Sequence, residues 1–186
     1  MNHRRLLLTT CLLVSVVVAA CATAPKEKDQ TAFLKEADAT LQWFQNRVPG
    51  LREQISASGG YTVFPSVGQW GIIFGGGRFG RGLVADNRGT QIGWSAINTG
   101  SLGLQAGVRG FRVLLVFQDE ATLERFRANR LTGSAGAVML IAESGGSSTA
   151  SFANGVAVYE GASTGLMGGL SFALDFVRFK PLTDPE

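Results

Sequence analysis

GYTVFPSVGQWGIIFGGGRFGRGLVAD, residues 60–86, is the stretch that most strongly constrains the fold of this chain. It contains three runs typical of β-strands, YTVF (61–64), WGIIFGGG (70–77) and GLVAD (82–86). A strand tolerates internal glycine chiefly where it bends, bulges or passes close to another backbone. The many glycines among these runs therefore predict a strongly curved sheet.

Similar runs continue toward the C-terminus. They are TQIGWSAI (90–97), LGLQAGV (102–108), FRVLLVF (111–117), AGAVMLIAE (135–143), GVAVYE (155–160) and a final stretch at 166–179. A spacing near ten residues, with turn signals between the runs, is typical of an antiparallel barrel or sandwich. Ser95, Ser101 and Gln105 fall within such runs, and we expect their polar groups to tie strands together.

Two helical segments accompany the strands. In residues 31–58 apolar positions recur every three or four residues, which predicts one helix face packed on the sheet. Pro49 interrupts that pattern and predicts a kink or two helices meeting near Val48. A second helix is predicted after Asp119, a suitable N-cap, with Leu123 and Phe126 pointing inward. The predicted fold class is α+β: a curved antiparallel β-barrel or sandwich with an N-terminal helical segment and one inserted helix.

The N-terminal residues 1–20 have the organisation of a signal peptide. Arg4 and Arg5 precede an apolar run that is too short to span a bilayer, which needs roughly 20 residues. The run ends in small residues directly before Cys21, which predicts a lipoprotein signal with the lipid on that cysteine. The following Ala22, where Asp would signal retention, resembles the pattern sorted to the outer membrane. We predict a tether at 21–30 and a single domain at 31–186.

Removal of the signal peptide would limit the chemistry of the mature chain. His3 is the only histidine, and Cys11 would leave with it while Cys21 carries lipid. Histidine-dependent nucleophilic catalysis, zinc sites and disulfides are then excluded, and no cofactor or metal is predicted. Without Arg4 and Arg5, the 17 Lys and Arg residues become 15 against 14 Asp and Glu, so nucleic-acid binding is not expected.

Three blocks of sequence carry a family resemblance. They are GYTVFPSVGQWGIIFGGGRFGRGLV (60–84), SLGLQAGVRGFRVLLVF (101–117) and NGVAVYEGASTGLMGGLSF (154–172). In this order and spacing, over about residues 32–182, the chain closely resembles the lipid-binding SYLF domain. The resemblance implies binding to acidic phospholipids, and bacterial members are commonly exported lipoproteins. Eukaryotic members also attach to actin, a partner not expected in a bacterial envelope, so only phospholipid binding is carried over.

Two groups of residues are candidates for the lipid contact. Arg78, Phe79 and Arg81 combine guanidinium groups that can bind phosphate with an aromatic ring that can enter the headgroup boundary. The alternative is a solvated hairpin with Phe79 turned into the core. Arg109 and Arg112 flank Gly110-Phe111 in a similar way, the alternative being ordinary turn charges.

The sequence therefore predicts a non-enzymatic, phospholipid-binding lipoprotein at the periplasmic face of the outer membrane. A lipid-anchored interaction module that docks on another envelope protein is the alternative. A carboxylate-dependent hydrolase is a third hypothesis, since acid/base chemistry needs only two acidic groups at a suitable distance. Its candidate acids are Glu143, Glu160 and Asp175, placed at predicted strand ends.

Overall fold

The computed structural model describes residues 23–72, 75–101, 107–131, 134–137, 139–141, 149–162, 171–173 and 177–182. Within these ranges the helices are α1 (Glu27–Gln45), α2 (Leu51–Ser56) and α3 (Glu120–Arg127). The strands are β1 (Gly60–Ile72), β2 (Gly75–Asp86), β3 (Gln91–Ser101), β4 (Gly107–Phe117), β5 (Ser134–Ala137), β6 (Met139–Ile141), β7 (Val156–Ala162), β8 (Ser171–Ala173) and β9 (Val177–Pro181). The predicted signal peptide and Cys21 lie outside these residues.

The main sheet has the strand order β6-β7-β4-β1-β2-β3-β9, and β5 pairs separately with β8. All neighbours in the main sheet are antiparallel except β6, which joins β7 in parallel. The predicted α+β class with a curved antiparallel sheet is confirmed. Of the two predicted shapes, a closed barrel is not formed by the described strands, because β6 and β9 remain separate edges.

The first two strands are longer than the sequence runs suggested. The run at 70–77, read as one strand, instead holds the end of β1 and the start of β2, with Ile72 opposite Gly75. The register of β1 shifts between Val63 and Ser66. This irregularity explains why the alternation of apolar residues breaks at Pro65, which obscured the continuity of the strand.

The N-terminal helical segment divides as Pro49 predicted. Helix α1 ends at Gln45, α2 begins at Leu51, and Gly50 between them has a left-handed φ of 79°. Helix α1 begins at Glu27, four residues before the predicted start of the domain. Pro25, two residues before the helix, is already buried, so the packed part of the chain includes a residue only four positions from Cys21.

One face of the sheet, here called the outer face, is covered by α1 and α2. Phe44 of α1 and Leu51 of α2 are fully buried there with Leu114 of β4 and Tyr159 of β7. The rings of Phe44 and Tyr159 lie 6.4 Å apart. Helix α1 therefore packs on its own sheet, as the sequence predicted.

The opposite face, here called the inner face, is covered by α3. Phe126 of α3 lies between Phe117 of β4, at 4.7 Å, and Phe179 of β9, at 5.8 Å between ring centroids. In a flat sheet β4 and β9 would be four strand spacings apart, or about 19 Å. One bridging ring spans the gap only because the sheet curls around the inner face, as its glycines predicted.

Side-chain hydrogen bonds hold both the start of α3 and the pairing of β9 with β3. Asp119 is the N-cap of α3, as predicted, and its Oδ1 accepts a hydrogen bond from the Thr122 N–H at 2.8 Å. Ser95 of β3 donates through Oγ to the Arg178 carbonyl of β9 at 3.0 Å. The expectation that Ser95 ties strands together is confirmed.

Candidate functional site

The candidate residues on β2 lie on opposite faces of the sheet, because successive side chains of a strand alternate. The Phe79 and Arg81 side chains lie on the outer face beside α1. Arg78 lies on the inner face, with its Cζ 5.5 Å from the Phe111 ring centroid. The structure thus separates Arg78 from the other two, and the three cannot contact one flat surface together.

An open groove with a volume of about 330 Å³ lies on the outer face beside the N-terminal half of α1. Helix α1 forms one wall, and the irregular part of β1 with the adjoining segments of β2 and β3 forms the floor and the other wall. The side chains of its lining that can contact a ligand through an aromatic ring, a charge or a hydrogen bond are Phe33, Glu36, Ser66, Phe79, Arg81 and Asn98. The groove therefore presents aromatic surface, one cation, one carboxylate and neutral hydrogen-bonding groups.

Phe79 is the most exposed large apolar side chain among the described residues, at 58%. Its ring lies over Gly68, the residue opposite it on β1: a Cβ added there would be 2.4 Å from the ring Cζ. The ring is therefore supported from below by bare backbone while its upper face remains in solvent. It has not turned into the core, which was the alternative interpretation of this hairpin.

The two charged side chains of the groove come from different elements. Arg81 extends from β2 and Glu36 from α1, and both are exposed. No described residue forms an ion pair with Glu36. A ligand with a negative and a positive group could therefore contact both walls.

Arg112 of β4 lies on the outer face with two residues that the sequence analysis did not select. Its Cζ is 5.1 Å from the Trp43 ring centroid, and the Arg47 Cζ is 4.3 Å from the same point. Arg47 Nη1 also donates to the Trp43 carbonyl at 3.5 Å. We call Trp43, Arg47 and Arg112 the tryptophan–arginine cluster. The alternative interpretation of Arg112 as an ordinary turn charge fails, because it lies within β4.

Arg109, the remaining candidate, lies in β4 with its backbone opposite Gln69 of β1. Its side chain falls outside what the structure describes, as does all of Cys21. The proposed roles of these two residues remain predictions.

Of the three candidate acids of the hydrolase hypothesis, the structure describes only Glu160. Glu160 lies within β7, not at a strand end, and is only 1% exposed. Glu143 and Asp175 lie outside the described residues. In the described ranges, no three His, Cys, Asp or Glu side chains are close enough to hold a metal ion.

None of the helices described here is both long and apolar enough to cross a bilayer. A scan of the sequence against models of known protein families finds no match, and neither does a search of curated proteins. The resemblance to the SYLF domain therefore remains a prediction from its motifs.

Proposed function

We propose that this chain is an exported bacterial lipoprotein, anchored by lipid on Cys21, whose SYLF-like domain binds phospholipid without enzymatic chemistry. The binding site is the outer-face groove. The observation that carries the proposal is the exposed Phe79 ring, held over Gly68 with the Arg81 guanidinium in the same groove. An exposed aromatic beside a cation suits the boundary between headgroups and acyl chains.

The charges of the groove support a phosphate-containing ligand. A guanidinium binds phosphate oxygens through paired N–H donors, and Ser66 and Asn98 offer further donors nearby. Glu36 on the opposite wall is suited to an ammonium group. Together they favour a phospholipid whose headgroup carries both charges, such as phosphatidylethanolamine, over a purely anionic one.

The position of Cys21 also favours this groove. Glu27, the first residue of α1, is six positions after Cys21, a distance of at most about 21 Å in extended chain. Glu36 lies nine residues further along the helix, a rise of about 14 Å. A lipid on Cys21 would therefore keep this end of the domain close to the bilayer, which we propose is the outer membrane at its periplasmic face.

Photocrosslinking can separate contact by the domain from contact by the anchor. The full chain is placed in nanodiscs of phosphatidylcholine doped with phosphatidylethanolamine or phosphatidylglycerol that carries a photoactivatable acyl chain. Crosslinked peptides are then mapped by mass spectrometry. We expect crosslinks at residues 33–36 and 79–81, stronger for phosphatidylethanolamine, and reduced in an Arg81→Gln, Phe79→Ala variant.

Crosslinks confined to the few residues after Cys21 would contradict lipid binding by the domain. The same chain with Arg88→Gln is the matched control, because Arg88 is exposed in the β2–β3 turn, far along the strand from the groove. Lipidation itself is tested by the mass of the mature chain, which should include the lipid, and the added mass should be absent in Cys21→Ser. Crosslinks from Arg81 to a protein, with none to lipid, would instead favour the alternative of an interaction module.

A further inference from the structure

The tryptophan–arginine cluster is a second cationic feature of the outer face, separate from the groove. Arg47 and Arg112 lie 4.3 and 5.1 Å from one ring centroid, so their guanidinium carbons are no more than 9.4 Å apart. The residues come from the C-terminal half of α1, the turn after it, and β4. Chain elements distant in sequence thus bring two cations to one aromatic ring.

The cluster is built on a fixed support. The Trp43 ring lies against Gly161 of β7, where an added Cβ would be 2.5 Å from its Cζ3. Its other neighbour is the buried Phe44 ring, at 5.1 Å and nearly perpendicular. Arg112 is half-buried on the central strand β4, opposite the same glycine. Both the indole and the Arg112 cation are therefore held in place before any ligand arrives, which reduces the ordering cost of binding.

The guanidinium group of Arg112 lies against an aromatic ring. Among the described residues, its guanidinium forms no ion pair, and the Trp43 ring is its recorded partner. A half-buried cation without an acidic partner is costly, and an aromatic face compensates only partly. An anion beside the Arg112 guanidinium would offset that cost. Phosphate fits best, because its oxygens match the planar fork of an arginine.

We infer that the tryptophan–arginine cluster binds a phosphate group. The ligand is a phosphate ester of a membrane lipid or free phosphate, which share this chemistry. This second site does not require the groove to bind lipid, so either site can fail alone.

The Trp43 side chain provides a direct probe of the cluster. The full chain is labelled with 5-fluorotryptophan and studied by ¹⁹F NMR in dodecyl maltoside, a detergent without phosphate. Trp43 is one of three tryptophans, and its resonance is assigned by its loss in Trp43→Phe. Inorganic phosphate and soluble dihexanoyl phosphatidylglycerol are titrated separately. We expect a saturable shift of the Trp43 resonance with at least one of them.

Three variants distinguish a phosphate site from a general effect. Arg112→Gln should weaken binding roughly tenfold to hundredfold, since a hydrogen bond to a charged group is lost. Gly161→Ala should also weaken it, because the new methyl displaces the indole while both arginines remain. Arg88→Gln should bind like the unmodified chain. The Trp94 ring lies 5.8 Å from the Phe33 ring of α1 on the outer face, and its resonance is assigned in the same way as that of Trp43. An unchanged Trp94 resonance in each variant shows that the outer face is still folded.

The two titrations also identify the source of the phosphate. Equal affinity for both probes supports recognition of the phosphate group itself, and a response to the lipid alone supports a lipid headgroup. No shift with either probe, or an Arg112→Gln variant that titrates normally, overturns the inference. If the photocrosslinks in the groove are absent but the Trp43 resonance still shifts with phosphate, the result counts against lipid binding in the groove and leaves the phosphate site supported.

Discussion

The side-chain amide of Asn129 pairs with the backbone of Phe179 as a neighbouring strand would. Its Oδ1 accepts from the Phe179 N–H at 2.8 Å, and its Nδ2 donates to the Phe179 carbonyl at 3.3 Å. Asn129 follows α3 and has a left-handed φ of 54°. One residue therefore satisfies two backbone hydrogen-bonding groups at the edge strand β9, where exposed backbone groups can pair with another chain.

Replacing Asn129 tests this edge. Asn129→Gly keeps the left-handed backbone but removes both hydrogen bonds, so we expect a net loss of about 1 kcal/mol in the free energy of unfolding. Asn129→Asp should cost more at neutral pH, because a carboxylate oxygen would face the Phe179 carbonyl. Urea unfolding measures both. Equal stability of all three proteins would show that β9 is held by β3 alone.

The tyrosines predict an unusual alkaline titration. The chain has two, and burial raises the pKa of both Tyr61 and Tyr159 above the usual 10.0, with the negative charge of Asp86 adding to the effect at Tyr61. The Tyr159 hydroxyl also donates to Gln54 Oε1 and accepts from the Ala150 N–H. A raised pKa in the folded state stabilises the fold fully below about pH 10, and this stability is lost as the pH rises further.

Tyrosinate absorbance at 295 nm should therefore rise at a higher pH than it does for free tyrosine. Tyr159→Phe should lower the free energy of unfolding by about 1–3 kcal/mol, because it leaves polar groups of Gln54 and Ala150 without their partner. An absorbance titration of the folded chain that coincides with that of free tyrosine would contradict the buried positions of both rings.

Asp119 makes a prediction at acid pH. Its hydrogen bonds with Thr122 hold the pKa of this carboxyl below its usual 3.8. A lowered pKa stabilises the fold above that value, and the stability is lost as the pH falls through 3.8 and below. In Asp119→Asn, which keeps an N-cap acceptor, the melting temperature should depend less on pH between 5 and 2. An unchanged slope would mean that the carboxylate charge contributes nothing to the cap.

Gly68 and Gly110 form a matched pair for the groove, since they lie opposite each other on β1 and β4. Gly68→Ala would force the exposed Phe79 ring aside, at a cost below about 1 kcal/mol because the ring can move into solvent. An alanine at Gly110 meets no atom within 4 Å. We expect lipid crosslinking at residues 79–81 to fall in Gly68→Ala and to persist in Gly110→Ala. Equal crosslinking in both would remove Phe79 from the site.

The sequence predicted the fold class, the division of the first helix and the N-cap at Asp119 because each depends on local chemistry. A proline inside a helix kinks or breaks it, so Pro49 marks the division by itself. The N-cap at Asp119 depends only on the three residues that follow it. The boundaries of β1 and β2 were harder to predict. Their turn lies within a run of apolar residues and glycines, so composition did not mark it.

The candidate site was only partly predictable, because it depends on which face each strand residue occupies. Arg78 and Arg81 are three apart, which places them on opposite faces of a strand. Trp43 and Arg47 are four apart in sequence, a spacing that brings side chains together on a helix surface, and this signal was available. Their contact with Arg112 depends on long-range strand register, which no local pattern reveals.

The pairing of β9 with β3 also has a kinetic consequence. Ser95 and Arg178 are 83 residues apart, and β9 follows every other strand that the structure describes. Contacts at such a separation require a large loop to close and slow the folding of a domain. Val177 and Phe179 can complete the inner core only after that closure. For a chain proposed to cross a membrane before it folds, slow closure would leave time for translocation.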